Sequence, residues 1–242
     1  PKTYLPNYSE FYEKRWFASS QDLNPTDVLF AGSTIRISSQ PTVFRTYTGA
    51  TFGVELCEDV WAPEPPSTRL ALSGADIICN LSASDELIGK HNYLCSLLSQ
   101  QSARTMSGYI YSSSGFGEST QDVVYGGNAL VYENGKCIAK SERFSFEPQL
   151  VISQIDYEKL RAERRNNTTF INAQRPTSLS HTLPQVRFVD CHSVEPHDFV
   201  LEREIDPTPF IPSSSNMKAS CEEIFNIQVA GLAKRLVHTN CK

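Results

Sequence analysis

The chain of 242 residues is 40% hydrophobic and 20% charged, enough for one sizeable core plus an extension. Its net charge of −5, with no basic run or aromatic-basic interleaving, excludes a nucleic-acid footprint. No apolar stretch nears the roughly 18 residues of a membrane span, and the start resembles neither a signal nor a transit peptide, so the expectation is a cytoplasmic protein without membrane partners.

The strand signals begin with "DVLFAGSTIRI" and "TVFRTYTGATFGVEL", rich in Val, Phe, Thr and Tyr, with turns at Gly32 and at Thr48-Gly49. In "PEPPSTRLALSGAD" the prolines suit a first helical turn and Gly74 a C-terminal cap, and "DIICNL" follows as a strand. "KHNYLCSLLSQQSARTMSG" puts Leu94, Leu97, Leu98 and Gln101 on one helical face and stops at Gly108, before the strand "YIYSS". Two strand, helix, strand units in succession make the sheet at least partly parallel. "ALVYENGKCIAKSERF" predicts a hairpin turning at Asn134-Gly135, and "LVISQID" one more strand. The helix "YEKLRAERRNN" follows, with Asp156 as N-cap. A domain is expected over 1–170. Prolines at 176, 184, 196, 207, 209 and 212 describe a mostly irregular connector over 171–218. Beyond it "CEEIFNIQVAGLAKRL" spaces Ile224, Phe225, Gln228, Val229, Leu232 and Leu236 as an amphipathic helix within 219–242.

Seven cysteines, scattered and odd in number, form no disulfide framework. Cys191, His192 and His197 lack a fourth ligand, so no metal site is expected. Cys57 is different. In "GVELCEDVW" it ends an apolar strand, where a thiol faces the crevice at the carboxyl ends of parallel strands together with Ser82 to Ser84. The backbone N–H of Glu58 follows as an oxyanion donor. Glu58 and Asp59 oppose a thiolate by like-charge repulsion, so a nucleophilic Cys57 needs a cation from elsewhere. A half-buried, inert thiol is the bland alternative.

Three motifs supply that cation by resemblance. "KTYLPNYSEFYEKRWF" from Lys2, "GVELCEDVWAPEPPS" and "NLSASDELIGK" together resemble the nitrilase-type glutaminase domain of glutamine-dependent NAD synthetases. The likeness runs from Lys2 to about residue 170 and resumes in the last helix, which resembles the lead into the synthetase domain. The resemblance implies an α/β fold, a nitrilase-like α-β-β-α sandwich, followed by the Pro-rich connector and the single helix. It implies hydrolysis of L-glutamine by a Glu-Lys-Cys set, with Cys57 as nucleophile and Lys2 as the lysine. Tyr8, Ser84 and Lys90 fall where that family holds glutamine, and adjacency places Glu58 and Trp61 in the pocket wall. The family's glutamate base lies upstream of Lys2, and Glu10 and Glu13 do not occupy its motif. The chain is therefore expected to be a portion cut at both ends, acylating slowly or not at all alone. ATP, Mg and deamido-NAD are expected only in a synthetase domain of the same polypeptide, and the family assembles into homo-oligomers. A stand-alone hydrolase of another amide and a non-catalytic assembly module are the alternatives.

Overall fold

The computed structural model describes residues 1–118, 123–175, 186–192, 198–212 and 216–240. It divides into two compact units, Pro1–Val200 and Leu201–Lys242.

In the first unit a hairpin of β1 (Thr26–Phe30) and β2 (Ser33–Ile37) stands apart as a two-stranded sheet. Its turn residues Ala31 and Gly32 both have positive φ, the geometry that matches the right-handed twist of paired strands. The main sheet contains β3 (Thr42–Arg45), β4 (Thr51–Leu56), β5 (Ile77–Ser82), β6 (Gly108–Ser113), β7 (Ala129–Glu133), β8 (Lys136–Lys140) and β9 (Arg187–Asp190). Its order is β8-β7-β6-β5-β4-β3-β9. The centre, β4 to β6, is parallel, and β3, β7 and β8 are added antiparallel to their inner neighbours.

Parallel neighbours require crossovers, and two helices supply them. Helix α1 (Pro66–Leu72) starts with Pro at its first position and stops at Ser73, with Gly74 at φ 104°. Helix α2 (Lys90–Thr105) buries Leu94, Leu98 and Gln101. The Gln101 amide, fully buried, donates to Ser67 Oγ at 3.0 Å and Thr68 Oγ1 at 3.1 Å, tying α2 to α1. The core lies between these helices and one sheet face, on Val43, Leu70, Ile78, Leu98, Tyr109 and Leu130. Gly53 of β4 is what lets α1 sit so close, since a Cβ there would meet Leu70 Cδ1 at 2.9 Å. The opposite face carries Val54 and Leu81, both exposed.

At the amino ends of the parallel strands, helix α3 (Tyr157–Asn166) closes the sheet, with Asp156 Oδ1 accepting from Lys159 N at 2.9 Å as N-cap. Arg161 grips the buried Asp76 carboxylate at 2.9 and 2.6 Å, and Arg164 donates to the Ala75 and Met106 carbonyls. Burial holds the Arg164 guanidinium down to about 10. These charges face each other and backbone carbonyls, so this end of the sheet is structural. Helix α4 (Thr168–Ala173) follows, N-capped by Asn167.

Three expectations differ from the structure. Residues 150–155 form no strand: Leu150 and Ile152 are exposed, and Ile155 packs against Gly108 instead of joining an edge. Helix α2 stops at Thr105 rather than Gly108, because Met106 takes the left-handed cap conformation at φ 45°. Gly108 serves β6, where a Cβ would meet Ile155 Cδ1 at 2.8 Å. The stretch read as irregular connector contributes β9, which runs parallel to β3. Its Val189, between exposed Phe188 and Asp190, carries the period of an edge strand, too short to stand out among prolines.

Among the described residues of the second unit, 201–212 are irregular and helix α5 spans Met217–Thr239. Ile224, Phe225, Val229, Leu232 and Leu236 are exposed along it.

Candidate active site

The carboxyl ends of β4 and β5 deliver the residues singled out in the sequence. Cys57 immediately follows β4 as the first residue of a 3-10 turn over Cys57–Trp61. Its φ is +47°, the left-handed region that a side chain enters only where surroundings enforce it, at a cost of about 1–3 kcal/mol. Across it Asp59 Oδ2 accepts from Leu56 N at 3.0 Å, folding the turn back on the strand end. Asn80 Nδ2 on β5 approaches the Cys57 carbonyl at 3.5 Å, so the trans peptide aims the Glu58 N–H the opposite way.

Beneath the turn lies a buried polar ladder. Glu55, on the same face of β4 as Cys57, accepts from the Tyr109 hydroxyl and from Ser67 N at 2.7 Å, the latter in the first turn of α1. Burial pushes the Glu55 carboxyl up and the Tyr109 phenol well up. Asn80 donates to Tyr109 at 3.3 Å and accepts from Ser82 Oγ at 2.7 Å. Every rung is satisfied, which rigidifies the strand pair carrying Cys57.

Lys2 reaches the site through the opening segment. Its ammonium contacts both oxygens of Glu13, at 2.6 and 2.7 Å, and its charge also stabilises ionised Glu58 and Asp59. Tyr8 donates to Glu58 Oε1 at 2.8 Å. Partial burial and the Glu58 carboxylate raise the Tyr8 phenol, and burial raises the Glu58 carboxyl against Tyr8 and Lys2. Lys90 opens α2, pairs with Asp85 Oδ1 at 2.5 Å, and lies 5.6 Å from the Trp61 ring centroid and 5.9 Å from that of Phe11. Trp61 in turn packs on Tyr93 at 5.6 Å. Ser84 is buried beyond β5, its N–H donating to Ser113 Oγ at 3.3 Å. Burial raises the Tyr111 phenol.

Thus Cys57, Lys2, Tyr8, Glu58, Trp61, Ser84 and Lys90 all gather at one end of the sheet. The sequence reading missed Glu13 and Asp59. Glu13 follows a coil that no period links to Lys2, and Asp59 read only as repulsion toward a thiolate. Of the Cys191, His192 and His197 group, His197 lies outside the described residues, and among those residues no three His, Cys, Asp or Glu are placed to hold a metal. Also among them, no helix is long and apolar enough to cross a membrane.

A model of the carbon-nitrogen hydrolase family matches residues 3–165. The chain belongs to that family. This carbon-nitrogen hydrolase is 36% identical, over 98% of its length, to the glutamine-dependent NAD(+) synthetase of Mycobacterium tuberculosis. It is 28% identical, over 68% of its length, to the human protein of that name. It spans only 35% and 24% of those two relatives. The crystal structure of a glutamine-dependent NAD(+) synthetase from Cytophaga hutchinsonii superimposes with a TM-score of 0.53 at 26% identity, over 62% of this chain and 24% of that one. A carbon-nitrogen hydrolase from Helicobacter pylori G27 gives 0.54 at 19% identity, over 72% and 57%, a likeness of fold. The expected nitrilase-type α/β architecture is the one observed: a mixed sheet with α1 and α2 against one face.

Proposed function

We propose that this carbon-nitrogen hydrolase is the glutaminase part of a glutamine-dependent NAD synthetase. The observation that carries the reading is the similarity to the mycobacterial synthetase across 98% of the chain. The same breadth disfavours a stand-alone hydrolase of another amide.

In this reading Cys57 Sγ attacks the side-chain amide carbon of L-glutamine. The S–C bond forms, the C–N bond breaks, and ammonia leaves with the proton that the thiol gave up. Water then cleaves the γ-glutamyl thioester to glutamate. The base for both steps is the glutamate that the family resemblance places upstream of Lys2. Lys2, held by Glu13, supplies positive charge to the tetrahedral oxyanion, which the Glu58 N–H also meets. Lys90 keeps ammonium protons beyond the one given to Asp85 and takes the substrate α-carboxylate. The Glu58 carboxylate takes the α-ammonium, with Tyr8 and Ser84 hydroxyls completing the polar contacts and Trp61 the wall. Ammonia passes to a synthetase portion of the same polypeptide for ATP-dependent amidation of deamido-NAD. ATP, Mg and deamido-NAD belong to that second reaction, and we assign them no residue here. The assembly is a cytoplasmic homo-oligomer in this reading.

The test is mass spectrometry of the natural full-length polypeptide treated with a diazoketone analogue of glutamine, with Cys57→Ala as control. One adduct, mapped to Cys57, is expected. Labelling spread over the exposed Cys137 and Cys221, or none on folded protein, would defeat the reading.

A further inference from the structure

Lys2 and Cys57 lie far apart in sequence, and the mechanism needs their relative position held within a fraction of an ångström. A single side chain spans the two. Asp59 is 1% exposed, and its carboxylate accepts three backbone N–H groups. Oδ1 receives Thr3 at 3.1 Å and Tyr4 at 2.8 Å, the two residues directly after Lys2. Oδ2 receives Leu56 at 3.0 Å, the residue directly before Cys57. The opening segment is pinned on its other side as well, because Ser20 N donates to the Lys2 carbonyl at 2.9 Å and Ser19 Oγ to the Thr3 carbonyl at 2.6 Å.

Resting on the glutaminase reading, we infer that Asp59 is the positioning residue of the reaction: its rigid carboxylate fixes the Lys2 segment with one oxygen and the Cys57 turn with the other, and so sets the ammonium-to-sulfur geometry. Two features favour this over a simple staple. Both tethered backbones adjoin a proposed catalytic residue, on either side of it. The carboxylate also stays in place at a desolvation cost, since burial pushes its pKa up, against the three N–H bonds and the Lys2 charge, which favour the ionised form. An amide cannot substitute. Its single oxygen can serve only one end, and its NH2 group faces an N–H at the other.

The experiment measures the alkylation rate of Cys57 by iodoacetamide, resolved by peptide mapping, in the natural full-length polypeptide. Variants are Asp59→Asn, Lys2→Met and the double variant, each with a melting curve. Asp59→Asn should slow Cys57 at least tenfold on folded protein. In the Lys2→Met background the same change should have less than a twofold effect, because a lost placement matters only while both partners exist. Thr3→Pro removes one donor while Asp59 and the turn remain, and should slow Cys57 by a smaller factor that also collapses with Lys2→Met. It carries the test where Asp59→Asn does not fold.

A tenfold effect persisting without Lys2 would show that Asp59 acts on Cys57 or the fold directly, and a fall in melting temperature with unchanged alkylation would leave it a staple. Either overturns the inference. Iodoacetamide needs no glutamine pocket, so the two readings separate. If wild type ignores the diazoketone yet shows this Lys2-dependent pattern, the substrate reading falls and the positioning role stands.

Discussion

Replacing Tyr109 by Phe probes the buried ladder under the nucleophile turn. The residue is fully buried, and the change deletes one hydroxyl with almost no loss of volume, so packing contributes little. The hydroxyl donates to Glu55 and accepts from Asn80. A hydrogen bond to a charged group is worth about 1.5–3 kcal/mol and a neutral one about 0.5–1.5 kcal/mol. The loss therefore depends on whether Glu55 is ionised. Its folded carboxyl is raised by burial above the ordinary 4.5, and the Tyr109 bond holds that rise in check. A carboxyl raised on folding contributes its stability below the unfolded pKa and loses it as pH rises through the folded one. Without the hydroxyl the folded pKa climbs further, so the loss extends over a wider range of rising pH. Tyr109→Phe should cost about 1 kcal/mol where Glu55 is protonated and about 2–3 kcal/mol where it is ionised, so the cost grows as pH rises through the Glu55 titration. At roughly 2–4 °C per kcal/mol for a domain of this size, the melting point with Glu55 ionised falls by roughly 4–12 °C. Differential scanning calorimetry across that pH range reads the trend, and adding Glu55→Gln should flatten it. A loss of equal size at both ends of the range, or a trend surviving Glu55→Gln, would refute the role given to Glu55.

Gly53→Ala should destabilise by about 1–3 kcal/mol through overpacking against Leu70. Denaturant titration should show less loss in Gly53→Ala/Leu70→Ala than the two single costs add to, since one clash is relieved. On the proposed glutaminase reading, in which Lys90 holds the α-carboxylate equally in ground and transition states, Lys90→Gln should raise KM for glutamine at least tenfold with kcat little changed. Steady-state ammonia release reads both constants, and a loss confined to kcat would remove Lys90 from substrate binding.

Local order was legible in the residues. Pro66 opens α1, Asp156 caps α3, and Asn134-Gly135 turns β7 into β8 with both residues at positive φ, each through chemistry contained within a few positions. So was the placement of Cys57, since a cysteine that breaks an apolar run before two acids stands at a strand end whatever lies around it. By contrast, "LVISQID" has strand-like residues, and whether they pair depends on an edge that the sequence does not display.

The sequence by itself determined the parallel centre of the sheet, the end at which the candidate residues gather, and the family signature spread over Lys2, Cys57 and Lys90. Only the tertiary structure decided what the acids do. Asp59 read as a charge hostile to a thiolate and Glu13 as an acid outside the family's glutamate motif, yet one is a buried acceptor for three backbone N–H groups and the other the partner of Lys2. Their partners come from distant parts of the chain or across a coil without period, and a carboxylate's effect depends on which donors the fold brings to it.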